Sequence, residues 1–191
     1  MFNRTMIAII RERLTRYKPR FIESPMAVCA GVMMPLYEKD NEPFIILTKR
    51  SNEVRIHKGE VSLPGGMCED DDGNTLNTAL RECCEEIGVR KNDLEIIGRL
   101  DDMYTLTGFV ITPYVGIMPY PYRFKINPKE VAYLIELPLD YLMNVKPDME
   151  EAEYKNNIQV VPSFNYNGDR IWGATCRLLL QFRDILNDKT I

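Results

Sequence analysis

The chain has 191 residues, 45% of them hydrophobic and 27% charged, a balance that excludes disordered and fibrous classes and fits one domain over 1–191. Its 24 basic and 28 acidic residues leave a formal charge of −4. That argues against a general nucleic-acid binder, which needs a surplus of Lys and Arg, but allows a small anionic ligand held by a local cluster.

Ile7, Ile10, Leu14 and Tyr17 recur at helical spacing and predict an amphipathic helix over about 3–17, ending before Pro19. Its arginines (Arg4, Arg11, Arg13, Arg16) read as a solvated face. Two apolar, β-compatible runs, Met26 to Tyr37 and Phe44 to Thr48, flank a polar turn and predict a hairpin. A polar loop from Lys49 to Lys58 leads to Gly59–Gly66 and an acidic turn, Glu69 to Asp72. Leu76, Ala79, Leu80, Cys83 and Ile87 share one helical face, with Gly88 placed to stop the helix. Strands are expected at Leu94 to Leu100, Phe109 to Met118 and Val131 to Leu137, then a short helix near Pro138. A strand pair around Ile158 to Val161 and Arg170 to Trp172 precedes a last helix, Ala174 to Leu186. Strands and helices mixed in this order predict a layered α/β (α+β) domain.

Five cysteines without C-x-x-C spacing point to reduced thiols in a cytoplasmic protein rather than to a disulfide framework or a zinc site. The uncharged stretch Met103 to Tyr122 carries three prolines and two glycines, so it reads as internal strands and not as a membrane span.

The informative stretch pairs Gly65-Gly66 with Arg81-Glu82-Cys83-Cys84-Glu85-Glu86-Ile87-Gly88. Glu82, Glu85 and Glu86 stand at i, i+3 and i+4, so their carboxylates leave one helical face, away from the apolar stripe. Such a cluster repels itself unless a cation lies among it, and oxygen ligands suit Mg²⁺ or Mn²⁺. The plainer reading is a solvated acidic face with Arg81 and Glu85 paired. The glycines favour the cation site, because they let backbone approach an ion or phosphate closely.

Here the sequence resembles the Nudix hydrolase family, whose box is filled by Gly66, Asp72, Arg81, Glu82, Glu85, Glu86, Gly88 and Val89. Two departures stand out: Asp72 replaces the usual Glu, and eight residues, not seven, separate it from Arg81. The extra residue is similar to the coenzyme A pyrophosphatase branch. So are Leu47-Thr48-Lys49-Arg50-Ser51, Arg55, Gly59, Leu63-Pro64-Gly65-Gly66 (with Leu63 where the branch leads one to expect Phe), Asp101-Asp102, Thr105, Gly108-Phe109, Thr112-Pro113 and Ile171-Trp172-Gly173-Ala174-Thr175.

The resemblance implies an α/β/α sandwich around a mixed β-sheet, with the box as loop, helix and loop. It implies hydrolysis of coenzyme A or its derivatives to adenosine 3′,5′-bisphosphate and (acyl-)4′-phosphopantetheine, with Mg²⁺ or Mn²⁺ as cofactor. Glu82 and Glu86 would be the principal metal ligands, Glu85 would also bind or bridge, and Arg81 would hold Glu82 in position. A Gly65-Gly66 carbonyl would add a ligand, and Lys49, Arg50, Arg55 and Lys58 would meet the 3′-phosphate. The general base is open: the resemblance allows Glu82 or a glutamate on a later loop, and where the branch leads one to expect an acid, this chain has Tyr133, a poor base at neutral pH. Glu130 and Glu136 are the substitutes to consider. His57, the sole histidine, reads as a surface or loop-ordering residue, and Trp172, Tyr120 and Tyr122 as core or rim. The partner is a small molecule, with no nucleic acid or membrane; a homodimer is left open. The competing readings are a Nudix hydrolase for ADP-ribose or NADH, and a non-catalytic nucleotide-binding Nudix domain.

Overall fold

The computed structural model describes residues 5–54, 57–105, 107–154 and 157–187. Arg4 and Arg55 therefore lie outside the described residues. Helix α1 (Met6–Arg16) is followed by strands β1 (Val28–Lys39), β2 (Glu42–Arg50), β3 (Val61–Ser62) and β4 (Gly65–Met67). A 3₁₀ turn (Asp70–Asp72) leads into α2 (Thr75–Ile87), then β5 (Glu95–Arg99), β6 (Met103–Tyr104), β7 (Phe109–Ile117) and β8 (Val131–Pro138). The chain continues through α3 (Leu139–Asn144), β9 (Asp148–Tyr154), β10 (Asn157–Tyr166), β11 (Asp169–Trp172) and α4 (Gly173–Leu186).

The main sheet is mixed. Its path runs β3-β2-β1-β7-β5, with β4 beside β1, β6 beside β7 and β8 beside β2. β1 and β7 are parallel, and the other pairs are antiparallel. Alternation along β1 and β2 sends neighbouring side chains to opposite faces. Met34, Leu36, Ile45 and Leu47 join the core beneath α1, α3 and α4. Met33, Tyr37 and Ile46 join the core beneath α2. These two cores give the expected α/β/α layering.

α2 forms where its apolar spacing predicts. Asn74 caps its start by accepting from Asn77 N, and Gly88 ends it at φ 72°. The helix sits tightly on β1 because Gly31 has no side chain: a Cβ there would lie 2.1 Å from Thr75 O. The expected hairpin, the later strands and the helix after Pro138 are all present. Two expectations need correction. The last strand pair is a three-stranded sheet, β11-β10-β9. Its outer strand, DMEEAEY, is too acidic to read as a strand from its own side chains, and its ladder to β10 holds it extended.

The second correction concerns the thiols. Cys29 and Cys68 form a disulfide, with Cα atoms 5.4 Å apart. The sequence spacing gives no hint of it, because β1 and β4 create the pairing: Ala30 faces Met67 across the ladder, and Cys68 N donates to Cys29 O at 2.9 Å. Cys83, Cys84 and Cys176 are free. A link across a separation of 39 residues is worth on the order of 4 kcal/mol by loop entropy. Dithiothreitol is therefore expected to lower the urea midpoint. Five titratable thiols in the unfolded, untreated chain, with no change of midpoint, would be the contrary result. Among the described residues, no helix is long and apolar enough to cross a membrane.

Candidate active site

Arg81 is the hub of the acidic helix. Its Nε and Nη2 grip both oxygens of Asp72 at 2.9 and 3.0 Å, and Nη2 also donates to Met67 O at 3.1 Å. Nη1 donates to Glu82 Oε1 at 2.9 Å and to Glu85 Oε2 at 3.1 Å. Asp72 accepts further from Thr78 Oγ1 and Glu69 N. The guanidinium first, and these donors with it, hold its carboxyl well below the usual carboxylate range. The shorter acid and the eight-residue spacing thus still permit a bidentate contact with Arg81.

α2 and two connecting segments converge on one point. The carboxylate oxygens of Glu82, Glu86 and Glu130 lie within 4.8 Å of one another. Gly66 floors the cluster: a Cβ there would stand 2.2 Å from Glu82 Oε1. Glu130 arrives from an Asn-Pro turn before β8. Asn127 N donates to Glu86 O at 2.9 Å, Asn127 Nδ2 donates to Glu130 Oε1 at 3.1 Å, and Ser51 N donates to Glu130 O at 2.8 Å. The Asn127-Pro128 dipeptide was the only local signal, and it marks a turn without saying where the turn docks.

Glu86 is 3% exposed, and its Oε2 has no hydrogen-bond partner among the described residues. Burial pushes its carboxyl up to about 8, and the Arg50 charge pulls the other way. Glu82 is also raised, mainly by burial, with Arg81 opposing. A buried carboxylate oxygen without a partner, beside two more carboxylates, fits a divalent cation held by oxygen.

The other expected residues are placed differently. Glu85 is 53% exposed, turns to Arg81 and is not in the three-carboxylate group. Lys49 and Tyr133 pair across β2 and β8 and share one face. There Lys49 Nζ and Tyr133 Oη both donate to Asp169 Oδ1 at 2.8 Å. Arg50, next along the strand, does not join them, and its charge acts on Glu86 instead. Tyr133 thus occupies no position among the clustered carboxylates; the acid there is Glu130. Glu136 pairs with Ile46, about 13 Å along β2 from Arg50. Lys58 is exposed, and His57 pairs with Glu60 at 3.1 Å. Tyr120 stacks on Tyr37 and Tyr122 donates to Asp93, as core and rim side chains do.

A cavity of about 490 Å³ opens beside the cluster, lined by Arg50, His57, Gly65 and Gly66 at one part and by Phe109 and Trp172 elsewhere. Oxygen ligands fit for a hard cation beside a cavity of this size suit metal-assisted chemistry on a small anionic molecule. The comparisons agree. The NUDIX domain family matches residues 28–162. The chain is 32% identical over 164 residues to "Uncharacterized Nudix hydrolase NudL" of Pectobacterium atrosepticum, covering 84% of this chain and 83% of the relative. A protein of the same name in Photorhabdus laumondii is 31% identical, covering 80% and 81%. In fold it is similar to the MutT protein of Methanosarcina mazei (TM-score 0.51, 17% identity, 90% and 94% covered). It is also similar to the NUDIX domain of Shewanella oneidensis NrtR complexed with ADP ribose (TM-score 0.50, 20% identity, 71% and 86% covered). The chain belongs to the Nudix hydrolase family. It is a pyrophosphohydrolase.

Proposed function

We propose that the chain hydrolyses the pyrophosphate bond of coenzyme A or its derivatives, giving adenosine 3′,5′-bisphosphate and (acyl-)4′-phosphopantetheine. One observation carries this reading. Three separate segments that resemble the coenzyme A branch contribute to one cavity: Arg50, then Leu63 with Gly65 and Gly66, then Trp172 to Thr175. The β2–β3 pair brings the first two together, and the third comes from more than 100 residues further along the chain. Mg²⁺ or Mn²⁺, held by Glu82 and Glu86 with the Glu130 carboxylate beside it, would neutralise phosphoryl oxygens and lower the pKa of bound water.

The protein's own part is positional. Arg81 fixes Glu82, the Gly66 surface keeps that carboxylate close to the turn, and Asn127 orients Glu130. Glu130 is the base we favour, since it is the acid that the turn before β8 delivers to the cluster. Glu85, exposed beside Arg81, is left with tuning that arginine. Lys58 and Arg55 remain the candidates for the 3′-phosphate.

Product analysis after incubation with Mg²⁺ or Mn²⁺ tests the substrate, with coenzyme A, ADP-ribose and NADH offered separately. Adenosine 3′,5′-bisphosphate from coenzyme A, with slow turnover of the other two, is expected. Equal cleavage of ADP-ribose would remove the coenzyme A assignment and leave the pyrophosphohydrolase intact.

A further inference from the structure

Arg50 does not share the situation of Lys49, which pairs with Asp169, or of Lys58, which is exposed. The β2–β8 ladder is irregular at this point: Lys49 pairs with Tyr133 but Arg50 with Val131, leaving Ala132 unpaired. Such a bulge re-aims the side chains around it. The Arg50 backbone is pinned from both sides, by Arg50 N donating to Glu60 O at 2.9 Å and by Ser51 N donating to Glu130 O at 2.8 Å. Arg50 lines the cavity together with Gly65 and Gly66. Yet its Nε is buried and forms no hydrogen bond among the described residues.

A guanidinium is permanently charged and carries five donors, so burying one of them unpaired is costly. Ser51 N, one residue on, holds the carbonyl of Glu130, a member of the group that fits a divalent cation, and Gly66, on the same cavity wall, lies against Glu82. A diphosphate in the cavity offers oxygens to both the metal ligands' side and the unpaired guanidinium donor. We infer that Arg50 donates to the phosphoryl oxygens of the scissile diphosphate, and that it does not read the 3′-phosphate as the sequence pattern of its segment suggests. The inference rests on the pyrophosphohydrolase reading of this site but not on the choice of coenzyme A.

The test compares the parent with Arg50→Gln and Arg50→Lys on coenzyme A, 3′-dephospho-coenzyme A and ADP-ribose. Calorimetric titrations of ADP with Mg²⁺, and of Mn²⁺ alone, run beside the assays. The glutamine variant should lose kcat/KM on the order of 10²-fold on every substrate the parent cleaves, and by similar factors. ADP should bind at least ~10-fold more weakly. Lysine should restore only part, because it keeps the charge and loses the fork. Mn²⁺ alone should bind the glutamine variant as tightly as the parent or more tightly, since a neighbouring positive charge has gone.

A loss confined to coenzyme A, with 3′-dephospho-coenzyme A spared, would make Arg50 a 3′-phosphate reader and overturn the inference. Weaker Mn²⁺ binding in step with activity would overturn it too, making Arg50 a residue that positions Glu86. If the parent cleaves none of the three substrates, the substrate reading fails, and the ADP titration still decides the role of Arg50. Unchanged melting temperatures confirm that the variants fold.

Discussion

Replacing Glu86 with glutamine is expected to lower divalent-ion-dependent hydrolysis by at least about 10²–10³-fold, because the variant loses one charged member of the three-carboxylate group. The same change is expected to stabilise the metal-free protein at high pH. Burial raises the Glu86 carboxyl to about 8 from an ordinary value of 4.5, so the folded chain holds this proton more tightly than the unfolded one. The group therefore makes stability fall as pH rises from about 4.5 to about 8. By pH 7 the loss is at most about 3 kcal/mol, at about 1.4 kcal/mol per unit. Urea titrations of metal-free protein at pH 5, 7 and 9 should show this slope in the parent and a flatter one in Glu86→Gln. Added Mg²⁺ should recover stability in the parent above pH 7 and do so less in the variant. Parallel pH profiles for the two proteins would show that Glu86 ionises freely, and the buried-ligand account would be wrong.

The second large effect separates Gly31, which carries no motif, from Gly66 of the box. Gly31→Ala is expected to destabilise the fold by about 3 kcal/mol, since its Cβ would meet backbone, Thr75 O at 2.1 Å and Ala79 N at 3.0 Å, which cannot move without lifting α2. For a chain of this length that is a fall of about 6–12 °C in melting temperature. Gly66→Ala should differ. Its Cβ would meet Glu82 Oε1 at 2.2 Å, the far end of a side chain that can swing away. The fold then stays near its original melting temperature. Hydrolysis falls on the order of 10²-fold, because Glu82 loses both its place in the cluster and its bond to Arg81. Activity and stability losses of the same rank in both variants would count against the assignment of Gly66 as the floor of the site.

The sequence by itself determined the parts whose signal is local. The period of Leu76, Ala79, Leu80, Cys83 and Ile87 defined α2 and its buried face, and the i, i+4 spacing put Glu82 and Glu86 together on one side of the helix, where Glu86 proves to be buried. Two apolar, β-compatible runs around a polar turn announced the hairpin of β1 and β2. Those patterns arise from neighbours a turn or a pleat apart, so a single chain read in order reveals them.

Tertiary structure alone decided what depends on register. Glu130 joins Glu82 and Glu86 because an Asn-Pro turn docks on the end of α2, and no periodicity reports that docking. Cys29 meets Cys68 only because β4 lies beside β1. Lys49 and Arg50 are adjacent and both basic, yet alternation along the strand sends one to Asp169 and the other to the cavity beside Glu86. Strand partners, bulges and docked turns are selected by the packing of distant segments against one another. That selection is a sum over the whole fold, and no stretch of this sequence contains it.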